Sequence, residues 1–187
     1  MKIIRQIVLY MAVALGANTA MADTALEALR DGDMKKLNFH SAPAAVPLTE
    51  YTRADGSTGT LADFQGRYVL LNFWATWCAP CRAEMPTLSN LQREMQSEKF
   101  EVVTIATGRN APTAMTKFFD EIGVDNLPLH TDPKSALART MGVFGLPITV
   151  ILDPEGHEIA RLQGDAHWDS ESAKAIIGAL VTNASGS

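Results

Sequence analysis

Tyr68–Trp74 reads YVLLNFW and is apolar at nearly every position. A strand with one wet face alternates apolar and polar side chains, so an unbroken run predicts a strand covered on both faces. The residues after it narrow the fold further. From Pro80 to Gln96, residues Cys81, Met85, Leu88, Leu91 and Met95 recur at helical spacing, which predicts a helix directly after the strand. Phe100–Ala106 repeats the apolar run. Pro112–Ile122 repeats the helical spacing, with Met115, Phe118, Phe119 and Ile122 on one face, and Lys134–Met141 predicts a shorter helix. Ile148–Leu152 and Glu158–Leu162 flank the turn sequence DPEG and predict an antiparallel hairpin. Ala173, Ile176, Ile177, Leu180 and Val181 make a closing amphipathic helix. This alternation predicts an α/β fold, a central mixed β-sheet flanked by helices.

The N-terminal part is less regular. A basic start (Lys2, Arg5), an apolar run from Ile7 to Ala17 and an Ala20-Met21-Ala22 end predict a secretory signal peptide over residues 1–22. The run falls short of the roughly 20 residues that span a bilayer; an uncleaved anchor is the alternative. The remaining 165 residues suit one domain with a full core. Losing Lys2 and Arg5 takes the formal charge from −5 to −7. An acidic chain without a block of Lys or Arg argues against nucleic acid as a partner. Asp23–Leu37 is predicted as a short helix weakened by Gly32, and SAPAAVP, ending at Pro47, as a linker. Residues 23–47 therefore precede a main domain over 48–182. LTEYTRADGSTGTL predicts an N-terminal β-hairpin extension around Ala54-Asp55-Gly56, and LADFQG one helical turn closed by Gly66. The small-residue tail, 183–187, is predicted to be disordered.

Both cysteines of the chain, Cys78 and Cys81, sit where the predicted strand turns into the predicted helix. Exported proteins that depend on disulfides spread several bridges along the chain, and so small a loop restrains the unfolded state little. A structural staple therefore does not account for the pair. A structural zinc site needs four ligands, and His40, His130, His157 and His167 show no paired spacing to complete one. At a helix start the free backbone N–H groups favour negative charge, which lowers the pKa of a thiol at Cys78 below its free value of about 8.5. Pro80 suits a first helical turn, and Cys81, one turn on, is predicted to face inward. An exposed attacking sulfur and a shielded resolving one are the parts of thiol–disulfide exchange. Beyond this redox-active pair no cofactor is expected. Two thiolates also suit Cu(I), so a metal site at Cys78 and Cys81 stays open.

FWATWCAPC before a helix, with GLPIT about 65 residues later, resembles the thioredoxin superfamily. The longer stretch LADFQGRYVLLNFWATWCAPCRAEMP, behind a signal sequence, is similar to its TlpA/ResA branch of exported thiol–disulfide oxidoreductases, over Leu48–Val181. The resemblance implies a thioredoxin-like fold and a cis bond before Pro147, with the Leu146 backbone left to bond an extended substrate segment. It makes Trp77 an exposed aromatic flank, Trp74 a core residue and Pro86 the proline that bends the active-site helix. Substrate would then meet Trp77, Pro80, Leu146 and Pro147. Thioredoxins proper carry a buried aspartate six residues before the first Cys; here Asn72 stands there and cannot ionise. Glu84 matches a glutamate of the branch, which implies that it tunes the thiols and relays the proton of Cys81; a solvated surface glutamate is the rival reading. Arg82 is read as solvated, and TGRNAP (Thr107–Pro112) and GVFGLP as substrate-selecting loops. The implied function is a periplasmic reductant of protein disulfides, fed electrons by a transmembrane thiol–disulfide transporter. The implied substrates are apocytochromes c, during cytochrome c maturation, or copper-site proteins. A disulfide-donating oxidase and a Cu(I) metallochaperone are the alternatives.

Overall fold

The computed structural model describes residues 25–183; the predicted signal peptide and the tail from Ala184 lie outside them. Among the described residues eight strands share one sheet: β1 (Asn38–Ala45), β2 (Tyr51–Thr52), β3 (Thr58–Gly59), β4 (Tyr68–Trp74), β5 (Phe100–Thr107), β6 (His130–Asp132), β7 (Ile148–Leu152) and β8 (His157–Gln163). Their order is β1-β8-β7-β4-β5-β6-β2-β3. Strand β5 runs parallel to both β4 and β6, and the other neighbouring pairs are antiparallel. The longer helices are α1 (Ala79–Met95), α2 (Pro112–Ile122) and α4 (Glu171–Asn183), with the short α3 (Ala136–Thr140) between the last two.

Burial on both faces explains the apolar run of β4. Leu70 and Trp74 pack with Met85, Leu88 and Leu91 of α1, Phe118 of α2 and Ile176 of α4. Val69, Leu71 and Phe73 face the other way, onto Leu61, Leu137 and Met141. Each such side chain contributes about 1.5–3 kcal/mol when fully buried, so a strand apolar on both sides is stabilised by cover on both, from α1, α2 and α4 on one face and the short α3 on the other. Gly123 closes α2 with φ +68°, a left-handed conformation that glycine adopts at no steric cost. The predicted central mixed sheet, the helices on both faces and the β2–β3 hairpin are all present.

The N-terminal segment departs from expectation. Residues 25–28 are helical, but Asp31 is extended and Gly32 left-handed (φ +54°), so the predicted helix breaks and restarts as a 3-10 turn, Gly32–Lys36. Residues 41–45 of the predicted linker belong to β1, an edge strand antiparallel to β8, and the sheet therefore begins ahead of Leu48. Pro43 has no N–H to give a ladder. It is accommodated because β1 lies at the edge and its register with β8 shifts between Phe39 and Ala44. Strand β6 is absent from the sequence expectation. Three residues, all with polar side chains, carry no period that sequence can read, and β6 exists because β5 and β2 flank it.

Candidate active site

Strand β4 ends at Trp74 and α1 begins at Ala79, so the four residues between them deliver the cysteines to the C-terminal edge of the sheet. Cys78 is the N-cap of α1, with extended backbone (φ −90°, ψ 104°), and its Sγ accepts a hydrogen bond from Cys81 N at 3.3 Å. Pro80 occupies the first turn, where its missing N–H leaves nothing unpaired. The two sulfurs are joined as a disulfide, 1.98 Å long. Cys81 is 0 % exposed and Cys78 5 %, so Cys78 is more covered than the exposed nucleophile the sequence predicts. The difference in access is narrow, yet a partner can reach the bridge only over Cys78.

Trp77, next to Cys78, is 67 % exposed and forms the expected aromatic flank, while Trp74 is fully buried and stacks on Phe119 at 5.4 Å. The Leu146–Pro147 bond is cis. Phe73 pairs with Ile148 across β4 and β7, which places Pro147 beside the end of β4, at the edge of the sheet where α1 starts. A cleft of about 230 Å3 opens there, lined by Phe144, Leu146, Pro147 and Gln163. Among the described residues the Leu146 backbone takes part in no hydrogen bond. Arg82, read as solvated, lies over the Phe118 ring at 4.4 Å, a cation–π contact that tethers α1 to α2.

Glu84 is buried, 2 % exposed, which removes the rival reading of a solvated surface glutamate. It lies three residues after Cys81 on α1, on the face turned to the sheet. Its Oε1 accepts from Asn72 Nδ2 at 2.8 Å, and its Oε2 from Ala166 N at 3.1 Å and Trp168 Nε1 at 3.2 Å. Burial raises its pKa from 4.5 to about 7, against the lowering effect of those three donors. Asn72 also donates to Thr149 Oγ1 at 2.9 Å, and its Oδ1 is buried with no partner among the described residues. The position of the missing aspartate and the substitute glutamate are therefore in direct contact.

Three residues of the site escape a reading of the sequence. Ala166 and Trp168 hold Glu84 from a loop more than eighty residues away; a tryptophan in the polar stretch DAHWD is the available signal. Asn110 lies in one of the predicted substrate-selecting loops, but it faces inward. Its Oδ1 accepts from Thr76 N (2.8 Å) and Thr76 Oγ1 (3.0 Å), and its Nδ2 donates to Thr107 O (2.9 Å). Asn110 thus pins the chain two residues before Cys78. Asn110→Ala leaves the part-buried Thr76 N–H without an acceptor and is expected to destabilise the fold by about 1–2 kcal/mol, read as a lower urea midpoint. Among the described residues there is no group of three His, Cys, Asp or Glu placed to hold a metal ion, and no helix is long and apolar enough to cross a membrane.

A family model for the AhpC/TSA family matches residues 43–159. The chain belongs to the AhpC/TSA family. Within it, the chain is similar to thiol-disulfide oxidoreductase ResA of Bacillus subtilis, 33 % identical over 110 residues, 59 % of this chain and 60 % of that protein. ResA of Bacillus cereus is 30 % identical over 120 residues, 64 % of this chain and 68 % of its own. The match thus spans about 60 % of the length of the first of these relatives. Two solved structures extend the likeness. A Chlorobium tepidum protein assigned as thiol:disulfide interchange protein DsbE is 27 % identical with TM-score 0.65, covering 74 % of this chain and 96 % of that one. The exposed lipoprotein thioredoxin of Streptococcus pneumoniae is 29 % identical with TM-score 0.56, covering 71 % and 96 %. The thioredoxin-like fold expected from FWATWCAPC and GLPIT is the fold of this AhpC/TSA-family chain.

Proposed function

We propose that this chain is a periplasmic thiol–disulfide oxidoreductase that reduces protein disulfides by exchange at Cys78–Cys81. The observation that carries the reading is the bridged pair at the start of α1, with Cys78 Sγ receiving Cys81 N and Cys81 shielded behind it. In the reduced protein the Cys78 thiolate attacks a substrate disulfide, forming a mixed disulfide and expelling one substrate thiolate. Cys81 gives up its proton and attacks Cys78 Sγ, which restores the bridge and releases the second substrate thiolate. The N–H groups of the first turn of α1 stabilise the Cys78 thiolate. The names of the ResA relatives support the reaction class. A transmembrane thiol–disulfide transporter would return the electrons, and apocytochromes c or copper-site proteins would be the substrates.

Direction is tested by equilibrating the chain with glutathione buffers of set potential. A reductant's pair stays oxidised until the buffer is strongly reducing, with a midpoint of about −270 to −200 mV; a midpoint near −120 mV would make the chain a disulfide donor instead.

Glu84 is proposed as the group that takes the Cys81 proton. A carboxyl with pKa about 7 is present in both protonation states at neutral pH, as a relay requires. The rate of the resolving step should then rise with pH through about 7 as Glu84 ionises. Glu84→Gln should remove that inflection and slow resolution about 10²-fold at pH 7. Stopped-flow release of a fluorescent thiol reads the rate, and an unaltered profile would take Glu84 out of the proton path.

A further inference from the structure

One oxygen of Glu84, Oε2, is held from outside the family match. The matched region stops at 159, whereas both donors to Glu84 Oε2 lie in the loop between β8 and α4. These donors, Ala166 N and Trp168 Nε1, belong to the two residues that flank His167, so any shift of the chain at His167 moves both.

His167 is fastened in turn by the N-terminal segment. Asp33 Oδ2 accepts from His167 N at 3.2 Å and lies 2.6 Å from His167 Nδ1. Lys36 Nζ pairs with Asp33 Oδ1 at 3.0 Å and donates to Asp165 O at 2.6 Å. Further along, Asp31 N donates to Ser172 Oγ at 2.9 Å, and Ser172 Oγ donates to Leu29 O at 2.7 Å. Met34 and Leu37, between these contacts, are buried in the same apolar cluster as Ala166 and Trp168. On the inner side, Trp168 N donates to Thr87 Oγ1 at 3.1 Å, and Thr87 Oγ1 donates to Glu84 O at 2.8 Å. The 165–168 loop is thus gripped between α1 and residues 31–37.

We propose that Asp33 and His167 are positioning residues for Glu84: their clasp fixes the loop that carries both donors to Glu84 Oε2. The segment before the sheet, which the family match does not assign, would then act at the carboxyl beside the cysteines. That the clasp acts on Glu84 is independent of catalysis; that it acts on exchange rests on the reading of Glu84 as proton relay.

Loosening the clasp lengthens the two donor bonds while Trp168 stays packed in the core. Lost donors raise a carboxyl pKa. The charged groups around the clasp and Glu84 are Asp33, Lys36, Asp165, Asp169 and His167, and deleting the negative Asp33 would by charge alone lower the Glu84 midpoint. Asp33 also holds the His167 proton, and losing that positive charge acts the other way, so geometry is separated from charge by comparison with Asp33→Asn, which removes the same charge and keeps an acceptor.

The test is the titration of the Glu84 carboxyl by carbon NMR in the oxidised full chain, with the Trp168 indole N–H signal followed alongside. Asp33→Ala should raise the Glu84 midpoint by about half a unit and move the indole signal. Asp33→Asn keeps an oxygen for the His167 N–H and should stay within about 0.2 unit of the parent. A midpoint that holds or falls in the alanine variant overturns the clasp, and so does an equal rise in both variants. Exchange kinetics keep the two readings apart. A raised midpoint without a matching shift in the pH profile of resolution leaves the clasp standing and removes Glu84 from the proton path. An unmoved midpoint, with Glu84→Gln still altering resolution, removes the clasp alone.

Discussion

Cys78→Ser is expected to abolish turnover with a protein disulfide, by about 10³-fold or more in rate, because no second sulfur can make the first attack. Cys81 is fully buried and spends its N–H on Cys78 Sγ, so it cannot replace the nucleophile without opening the first turn of α1. Cys81→Ser should fail in a different way. Cys78 keeps its N-cap position and attacks normally, but nothing resolves the product, so the chain accumulates as a mixed disulfide with its partner. Non-reducing electrophoresis of the two variants after mixing with a disulfide-containing protein separates the outcomes. A covalent adduct is expected with Cys81→Ser and none with Cys78→Ser, and the reverse pattern would exchange the roles of the two sulfurs. The same adduct, formed in the chain's own host, identifies the substrate by mass. It also bears on the cleft lined by Phe144, Leu146 and Pro147, because the captured segment should be extended and should lie against the Leu146 backbone.

Range decides how much of the fold and site is legible in the sequence. Strand β4 and helix α1 are readable because their periods are local and long, seven and seventeen residues. The cysteines are readable because a CxxC at a strand-to-helix junction is itself a local statement. Strand β1 is not, since Ser41-Ala42-Pro43-Ala44-Ala45 has neither period nor bulk and becomes a strand only because β8 offers an edge. Glu84 marks the boundary between the two cases. Helical spacing places it near Cys81, but whether it is buried or solvated depends on Asn72, twelve residues back, and Trp168, eighty-four ahead. No window of sequence contains those three together. The inward role of Asn110 is hidden for the same reason, since its partner Thr76 lies thirty-four residues upstream.

The buried carboxyl makes stability itself pH-dependent, with a sign opposite to that of an ordinary salt-bridged acid. Glu84 has a folded pKa of about 7 against 4.5 in the unfolded chain. Between these values the folded state binds more protons than the unfolded one, so stability falls as pH rises. The stabilising contribution is fully present below about pH 4.5 and is lost as pH passes through about 7. A difference of about 2.5 units corresponds to about 3 kcal/mol, a large share of the stability of a domain this size. Burial causes that rise, and Asn72 decides how each protonation state is paired. While Glu84 is ionised, the Asn72 amide spends both Nδ2 hydrogens on Glu84 and Thr149 and leaves Oδ1 buried and unpaired. A protonated Glu84 needs an acceptor for its own O–H, and half a turn of the amide would bring that idle oxygen to it. Glutamine at position 84 has a permanent N–H for the same oxygen and does not titrate. Urea unfolding of wild type and Glu84→Gln, compared every half unit from pH 4 to pH 8, should therefore give curves that diverge by about 3 kcal/mol in favour of glutamine as pH rises. Curves that stay parallel across that range would mean that Glu84 titrates as a solvated acid. The relay would then lose its pKa, and Asn72 would be a packing residue with no part in the proton's path.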